Sequence, residues 1–418
     1  MKNTKLATKR FSMPQLFSVP DKLTRKMFLK FLQKIKHGQL TVHDSQGSST
    51  YGEPNTDLNV TLEIKNERSY ADFLLGGSLG AGESYIRGEW ECSNLTDLIR
   101  IFARNMDLVE SMDSGLAKLG APIFKSLHWM NRNTRKGSRN NIEAHYDLGN
   151  DFFKLFLDES MMYSAAIFKS DNSSLYEAQQ HKLKTICEKL ELNSKDHLLE
   201  IGSGWGAMAI YAAENYGCHV TTTTISKEQF LLTQDRVREK GLLDQITILL
   251  KDYRDLKGEY SKVVSIEMVE AVGHQYLEEY FQTCSNLTSK DGLFLMQVIT
   301  IPDQRYDSAR KEIDFIKRYI FPGSCIPSIE KITKCIRRKT DYRLVDVDEY
   351  AAHYSTTLNK WHENLMTHKE EIEKQFSPEF MKMWKFYFSY CSGAFAERAI
   401  GSSQMLFAKP FNRSVTRR

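Results

Sequence analysis

No run of about eighteen apolar residues occurs in the sequence, so no stretch reads as a bilayer-spanning helix. The basic N-terminus likewise lacks the continuous apolar core of a secretory signal. Cysteine is sparse: seven residues, without a C-x-x-C pair or framework spacing. That excludes a disulfide-built fold and points to a reducing compartment. No H-E-x-x-H motif and no Cys/His cluster argues for a metal. The net charge of +4 is modest and gives no reason to expect a nucleic acid partner. With 41% hydrophobic and 26% charged residues over 418 positions, the composition describes a soluble globular protein too long for one small core.

The charge is unevenly placed. Before His37 there are ten Lys/Arg and one acid, Asp21. Within this segment Leu23, Met27, Phe28, Phe31, Leu32 and Ile35 recur at helical spacing, among Lys22, Arg25, Lys26, Lys30 and Lys34. A basic amphipathic helix over Asp21 to Lys36 suits an anionic membrane surface. A solvated helix that packs its apolar face on its own domain fits equally well.

The stretch L-L-E-I-G-S-G-W-G-A, Leu198 to Ala207, carries the chemistry. A short apolar run leads into Gly202, Gly204 and Gly206, and a small-residue helix follows, closed by Gly217. Strand, tight turn and helix in that order open a parallel α/β sheet. Glycines admit a ligand close to the backbone, and the helix N-terminus offers free N–H groups. The letters also satisfy a dinucleotide fingerprint, but the second strand, H-V-T-T-T-T-I, has no acid for a ribose. Glu200, just before the first glycine, suits S-adenosylmethionine better, because a carboxylate there can meet a cationic end of that ligand.

Alternating strands and helices then run from Leu175 to Pro302, with strands ending near Ile201, Ile225, Asp252, Glu267 and Thr300. Asp291-Gly292 reads as a turn before the last of these. In open parallel sheets the ligand lies beyond the carboxyl ends of the strands, which locates the site. Upstream, G-Q-L-T-V-H-D and L-N-V-T-L-E-I-K alternate like half-buried strands around the polar loop S-Q-G-S-S-T-Y-G-E-P. The glycines of G-G-S-L-G-A-G-E-S-Y-I-R-G mark turns and close approaches. The polar N-R-N-T-R-K-G-S-R-N marks a boundary.

Several phrases resemble the cyclopropane-fatty-acyl-phospholipid synthase family, which includes the mycolic acid cyclopropane synthases. They are H-Y-D-L-G-N-D-F-F, M-Y-S-A-A, L-L-E-I-G-S-G-W-G, T-I-S-K-E-Q, S-I-E-M-V-E-A-V-G, I-F-P-G-S-C-I-P-S, H-Y-S-T-T-L-N-K-W and C-S-G-A-F, in the family's order from His145 onward. The resemblance implies an α/β fold of the class I Rossmann-like methyltransferase type, with a seven-stranded, mostly parallel sheet and a smaller N-terminal α+β domain. The expected layout is a basic segment over 1–36, the α+β domain over 37–130, a linker over 131–141, the methyltransferase domain over 142–410 and a basic tail over 411–418. It also implies S-adenosylmethionine as cosubstrate, methyl transfer to a cis double bond in a phospholipid acyl chain, and a bound bicarbonate ion as base. The product expected first is a cyclopropane, and a methyl or methylene branch from the same cation is the alternative. A lipid-binding protein that keeps the fold without turnover is the alternative from another class.

Matched one by one, Tyr163 and Ser164 fall on the family's cofactor-contacting pair, and Gly202, Ser203, Gly204, Trp205 and Gly206 on its glycine turn beside Glu200. Thr224, Ile225, Ser226 and Gln229 fall on its T-x-S-x-x-Q segment, and Asp252 and Tyr253 on its adenine contacts. Ser226 and Gln229 also have the spacing of a helix-capping box. For the bicarbonate, the resemblance points to Glu270, Tyr354 and the backbone N–H of Ile299. The chain departs from the family in having Ala165 where cysteine is common and Gln297 where histidine is common. Gln297 can donate hydrogen bonds but cannot titrate. Cys391 matches a cysteine often linked to catalysis there, although a thiol on an apolar helix is more often packing. The expected setting is cytoplasmic, at the inner face of the plasma membrane, with unsaturated phospholipids as partner and a homodimer left open.

Overall fold

In the computed structural model, which describes residues 20–109 and 148–414, the alternating text near the N-terminus forms β1 (Gln39–Asp44), β2 (Gly47–Gly52) and β3 (Asn59–Ile64). With β4 (Trp90–Cys92) they make a four-stranded sheet in the order β2-β1-β3-β4. Leu40, Val42, Val60 and Leu62 alternate inward and are buried, as the period of two requires. β2 occupies the stretch expected to be a polar loop. It pairs antiparallel with β1 through small and hydroxyl residues that carry no apolar alternation.

The glycine-rich stretch expected to turn is instead helical, Ser69–Ile86, with a kink at Gly77, whose φ is 51°. Gly80 and Gly82 serve close packing. A Cβ at Gly82 would lie 2.3 Å from the Phe315 ring, and one at Gly80 would lie 2.2 Å from the Asp72 carbonyl oxygen. This unit takes in residues 312–320 and 361–399 as well, so the later segments do not all group with the expected 142–410 domain. Glu397 binds Arg100 at 2.7 Å and Arg104 at 2.9 Å, tying the end of the helix Pro378–Ala396 to the helix Leu95–Arg104.

The basic helix spans Asp21–Leu32, and its apolar face turns inward. The Phe28 ring packs on Tyr70 and Phe73 at 5.6 and 5.0 Å, and Phe31, Leu32 and Ile35 are buried. Of the two uses the periodicity allowed, packing wins: Phe28, Phe31 and Leu32 are not available to enter a bilayer. Arg25 is also drawn in, bonding Asp44 at 2.6 Å. Lys22, Lys26 and Lys30 remain exposed as a basic stripe. The rest of the expected 1–36 segment before Pro20, the linker over 131–141, His145 and Tyr146, and residues 415–418 of the tail lie outside the described residues.

Among the described residues the second unit comprises 148–311, 321–360 and 400–414. Its strands are β5 (His197–Ile201), β6 (His219–Thr224), β7 (Ile246–Leu250), β8 (Tyr260–Ile266), β9 (Thr288–Thr300), β10 (Arg343–Glu349) and β11 (Gly401–Ala408). They lie in the order β10-β11-β9-β8-β5-β6-β7, parallel except for the pairs made by β11. This is the expected seven-stranded, mostly parallel sheet. Adjacent residues face opposite layers, and both layers are covered. Leu198, Val220, Leu295 and Leu406 pack with Met208 and Ile186 on one side. Leu199, Phe294, Met296 and Phe407 pack with Phe281 and Ile332 on the other. β9 begins at Thr288, so Asp291-Gly292 lies within the strand as an irregularity in register instead of a turn before it. Among the described residues no helix is long and apolar enough to cross a membrane.

Phe28→Ala should lower unfolding free energy by about 3–5 kcal/mol, as removal of a buried aromatic does. Thermal and urea unfolding measure it. An unchanged stability would return this face to the role of an exposed anchor.

Candidate active site

The strand order reverses at β5, which continues to β6 and β7 on one side and has β8 on the other. Ligands of open α/β sheets bind in the crevice such a reversal leaves at the carboxyl ends of the strands. The glycine turn leaves β5 here. Gly202, Gly204 and Gly206 have φ of 97°, 49° and 87°, all in the left-handed region. Gly206 caps the helix Ala207–Tyr216, and a Cβ on it would meet Thr233 at 2.7 Å. The Gly202 and Ser203 N–H groups donate to the Thr223 carbonyl at 3.0 and 2.8 Å, docking the turn on β6. Glu200 is buried and accepts from the Thr222 hydroxyl at 2.6 Å. Burial pushes its carboxyl up to about 8 against that hydrogen bond.

At the end of β6, Ser226 caps the helix Lys227–Glu239 by accepting from the Gln229 N–H at 3.3 Å. The Gln229 side chain accepts from Thr224 at 2.8 Å, and the Ser226 N–H donates to Thr224 at 3.1 Å. Thr224 thus sets the bearing of Gln229. Ile225 is half-buried between them. After β7, the Asp252 carboxylate is held by its neighbour Arg254 at 2.6 and 2.8 Å, and the Arg254 guanidinium lies 5.5 Å from the Tyr253 ring. Asp252 is therefore an ion-paired turn acid and not a solvated one.

Aromatic residues form a wall beside the glycine turn. The Trp205 indole donates to the Asn150 side chain at 2.7 Å, and its ring lies 5.0 Å from Phe153. Tyr163 packs on Phe153, Phe156 and Phe321 at 5.4, 5.9 and 6.1 Å. Ser164 is buried and its hydroxyl accepts from Lys182 Nζ at 2.7 Å. Lys182 is fully buried, and desolvation lowers its ammonium pKa to about 7, opposed by the charges of Glu267 and Asp158.

The residues expected to hold an anion converge on two carboxylates. Glu267 Oε1 accepts from the Ala165 N–H at 3.0 Å and from Gln297 Nε2 at 2.8 Å. Glu267 Oε2 accepts from the Tyr354 hydroxyl at 2.6 Å. Glu270 Oε1 accepts from the Ile299 N–H at 2.6 Å, while its buried Oε2 has no hydrogen-bond partner. Burial, then the neighbouring Glu267 charge, pushes Glu270 up to about 8. Burial also raises Glu267, opposed by Tyr354, Gln297, Lys182 and the Ala165 N–H.

Glu267 was missing from the sequence-based set, as were two residues that support it. The buried Gln404 donates from Nε2 to Gln297 Oε1 at 3.1 Å, which turns the Gln297 amide nitrogen toward Glu267. Lys182 is the buried cation facing it. The H-Y-S-T-T spacing is explained by one helix face: His353, Tyr354 and Thr357 bond the Phe168 N–H, Glu267 and the Ala166 N–H. Glu267 is half-buried and has φ of 50°, which costs a residue other than glycine on the order of 1 kcal/mol. An acid ending the strand next to the glycine turn was the available signal. Cys391 belongs to the other unit, on the helix Pro378–Ala396, and burial pushes its thiol far above the ordinary value.

A family model described as mycolic acid cyclopropane synthetase matches residues 133–405. The cyclopropane-fatty-acyl-phospholipid synthase of Escherichia coli (strain K12) is 37% identical over 360 residues, covering 85% of this chain and 89% of the relative. The tuberculostearic acid methyltransferase of Mycobacterium tuberculosis is 35% identical and covers 76% of each chain. Among solved structures, the mycolic acid cyclopropane synthase CmaA1 complexed with SAH and CTAB is 30% identical with a TM-score of 0.60, covering 65% of this chain and 98% of that one. Coclaurine N-methyltransferase, at 18% identity and a TM-score of 0.62, shares the fold.

Because Glu270 is raised from 4.5 to about 8, the folded chain binds a proton that the unfolded chain has released across that interval. Its contribution to stability is complete below the unfolded value and is lost as pH rises through the folded one. Unfolding free energy should therefore fall from mildly acidic pH to about pH 8, and Glu270→Gln, which has nothing to ionise, should flatten the fall. Urea titrations across the range measure it; parallel profiles for the two proteins would place Glu270 in a polar, solvated setting.

Proposed function

The chain belongs to the mycolic acid cyclopropane synthetase family and is an S-adenosylmethionine-dependent methyltransferase, and from that premise we propose that it methylates the cis double bond of unsaturated acyl chains in membrane phospholipids to give a cyclopropane. The observation that carries the reading is the pair of carboxyl groups, half-buried Glu267 and buried Glu270, gathered beside the glycine turn and an aromatic wall. A cation formed in an acyl chain needs this combination: little water, aromatic faces and an anion.

The residues present fit S-adenosylmethionine. The left-handed glycines admit a ligand against the backbone, Glu200 can meet a cationic end, and Gln229, Asp252 and Tyr253 line the ends of the next two strands. When bound, that cosubstrate supplies a methyl group made electrophilic by its sulfonium. Tyr163, with Phe153 and Phe321 behind it, presents ring surface to the developing cation. Gln297 and the Ala165 N–H orient Glu267, and Tyr354 fixes its other oxygen. Ile299 orients Glu270. Cys391, held as a neutral thiol, takes no part in proton transfer.

The residues do not fit the expected bicarbonate. Its donors from Ala165, Gln297 and Tyr354 already bind Glu267, and the Ile299 N–H binds Glu270. A further anion would sit against the Glu267 carboxylate and the buried Glu270 carboxyl in a poorly solvated place, so no step is assigned to it.

The branched product remains the second reading, motivated by Gln297 and Ala165 standing where the family commonly has histidine and cysteine. Both products lose a proton from the newly added methyl group. A ring closes if that loss comes first, whereas a hydride shift beforehand gives a methylene branch. Docking at the inner face of the plasma membrane is assigned to the exposed Lys22, Lys26 and Lys30, by charge alone, since the apolar face is packed away.

Methyl-labelled S-adenosylmethionine and unsaturated phospholipid test the reading. Label should enter lipid with upfield ring-methylene proton signals, and turnover on anionic vesicles should fall with salt much more than turnover on detergent-dispersed lipid. Labelled lipid with olefinic methylene signals would establish the branched product instead. No label in any unsaturated lipid would leave a binding protein.

A further inference from the structure

We propose that Glu267 provides, from the chain itself, the carboxylate base that the family resemblance assigns to a bound bicarbonate, and that it takes the proton lost by the transferred methyl group. The inference rests on the methyltransferase reading above and names the base within it.

Three observations carry it. The first is saturation of the anion's donors: an N–H from Ala165, the Gln297 amide and the Tyr354 hydroxyl all end on Glu267, at 3.0, 2.8 and 2.6 Å. A planar oxyanion with hydrogen bonds to both oxygens is thus already in place, covalently attached. The second is the support behind it. Gln404 fixes which end of the Gln297 amide faces the carboxylate, as a donor to a resident anion requires. The third is the backbone. Glu267 holds a left-handed φ of 50° directly after β8, beside the turn at Gly202, where a built Cβ would approach Met268 at 3.1 Å. Glycine would adopt that conformation without strain, so a side chain kept there points to a function at the site.

Glu270 is less suited to the same step. Its one partnered oxygen is bound by a single N–H, and its other oxygen is buried without a partner, an arrangement that favours the neutral acid. Glu267 has three donors and faces Lys182, the buried ammonium that Glu267 helps keep charged. Glu267 is also half-buried, so part of its surface stays open to a substrate.

The alkene π pair forms the new bond to the methyl carbon while the carbon–sulfur pair stays with sulfur. The neighbouring chain carbon becomes cationic. A C–H pair of the new methyl then forms the third ring bond, and its proton passes to Glu267, leaving a neutral carboxylic acid that returns the proton to water after product release. No oxidant, reductant or added base is needed.

The test uses the full-length enzyme in buffer freed of carbon dioxide, with labelled S-adenosylmethionine and dispersed unsaturated phospholipid. Wild-type turnover should not respond to added bicarbonate. Glu267→Gln should lose about a hundredfold or more in kcat while calorimetric affinity for S-adenosylhomocysteine stays unchanged, which shows a folded cofactor site. Glu267→Gly should regain turnover when formate or bicarbonate is added, whereas Glu267→Gln, which leaves no room, should not. A wild type that stalls until bicarbonate is added would overturn the proposal while leaving the methyltransferase reading intact. A Glu267→Gln enzyme with near wild-type kcat, or one that loses cofactor affinity in parallel, would overturn it too. Absence of methyl transfer by the wild type with every unsaturated lipid would remove the reading on which the proposal rests.

Discussion

A carboxylate taken out of water must be met by hydrogen bonds or stay protonated, and at Glu267 that requirement draws four parts of the second unit to one point. The loop after Tyr163 gives the Ala165 N–H, β9 gives Gln297, the helix Ala351–Thr367 gives Tyr354, and β8 gives the acid. Each partner is fixed in turn. Gln297 is held by Gln404 on β11, and the helix carrying Tyr354 is clamped to the Ala166–Phe168 backbone by Thr357 and His353. Loss of Tyr354 removes the donor to one oxygen, and loss of the Ala165 N–H or Gln297 removes one of the two donors to the other, so the loop, the strand and the helix are locked as a group.

The same logic separates the acids near the sheet's reversal. Glu200 has one hydroxyl partner and Glu270 one backbone N–H, and burial holds both near 8. Asp252 differs in its partner: Arg254, two residues on, grips both of its oxygens. Acids of similar chemistry within one crevice thus differ in the number and charge of their donors. That spread is what lets one site greet a cationic cosubstrate and also accept a proton.

Much of this was legible in the text. The glycine turn, the acid before it and the alternation of strands and helices depend on local pattern, and they placed the sheet edge at which the candidate residues lie. What escaped depends on distant partners. Glu267 reads as the residue after a strand until it meets Gln297 and Tyr354, separated from it by 30 and 87 positions. The inward turn of Phe28 depends on Tyr70 and Phe73, which a helical periodicity cannot announce. β2 is built of two serines, a threonine and a tyrosine between glycines, and only pairing with β1 makes it a strand. Of the turns and close approaches expected from the glycines of Ser69–Ile86, the close approaches hold at Gly80 and Gly82, which admit a neighbouring carbonyl and ring, while the backbone stays helical around the kink at Gly77. Residues 361–399 carry the motif C-S-G-A-F yet group with the first unit, where Glu397 meets Arg100 and Arg104.

The central claim is that the anion of this site is part of the chain. The most direct measurement is a high-resolution crystal structure of the enzyme with S-adenosylhomocysteine, grown in the presence of bicarbonate. The account predicts the Glu267 carboxylate between the Ala165 N–H, Gln297 and Tyr354, with no separate planar ion among them. A bicarbonate bound by those three donors, with Glu267 swung aside, would contradict it.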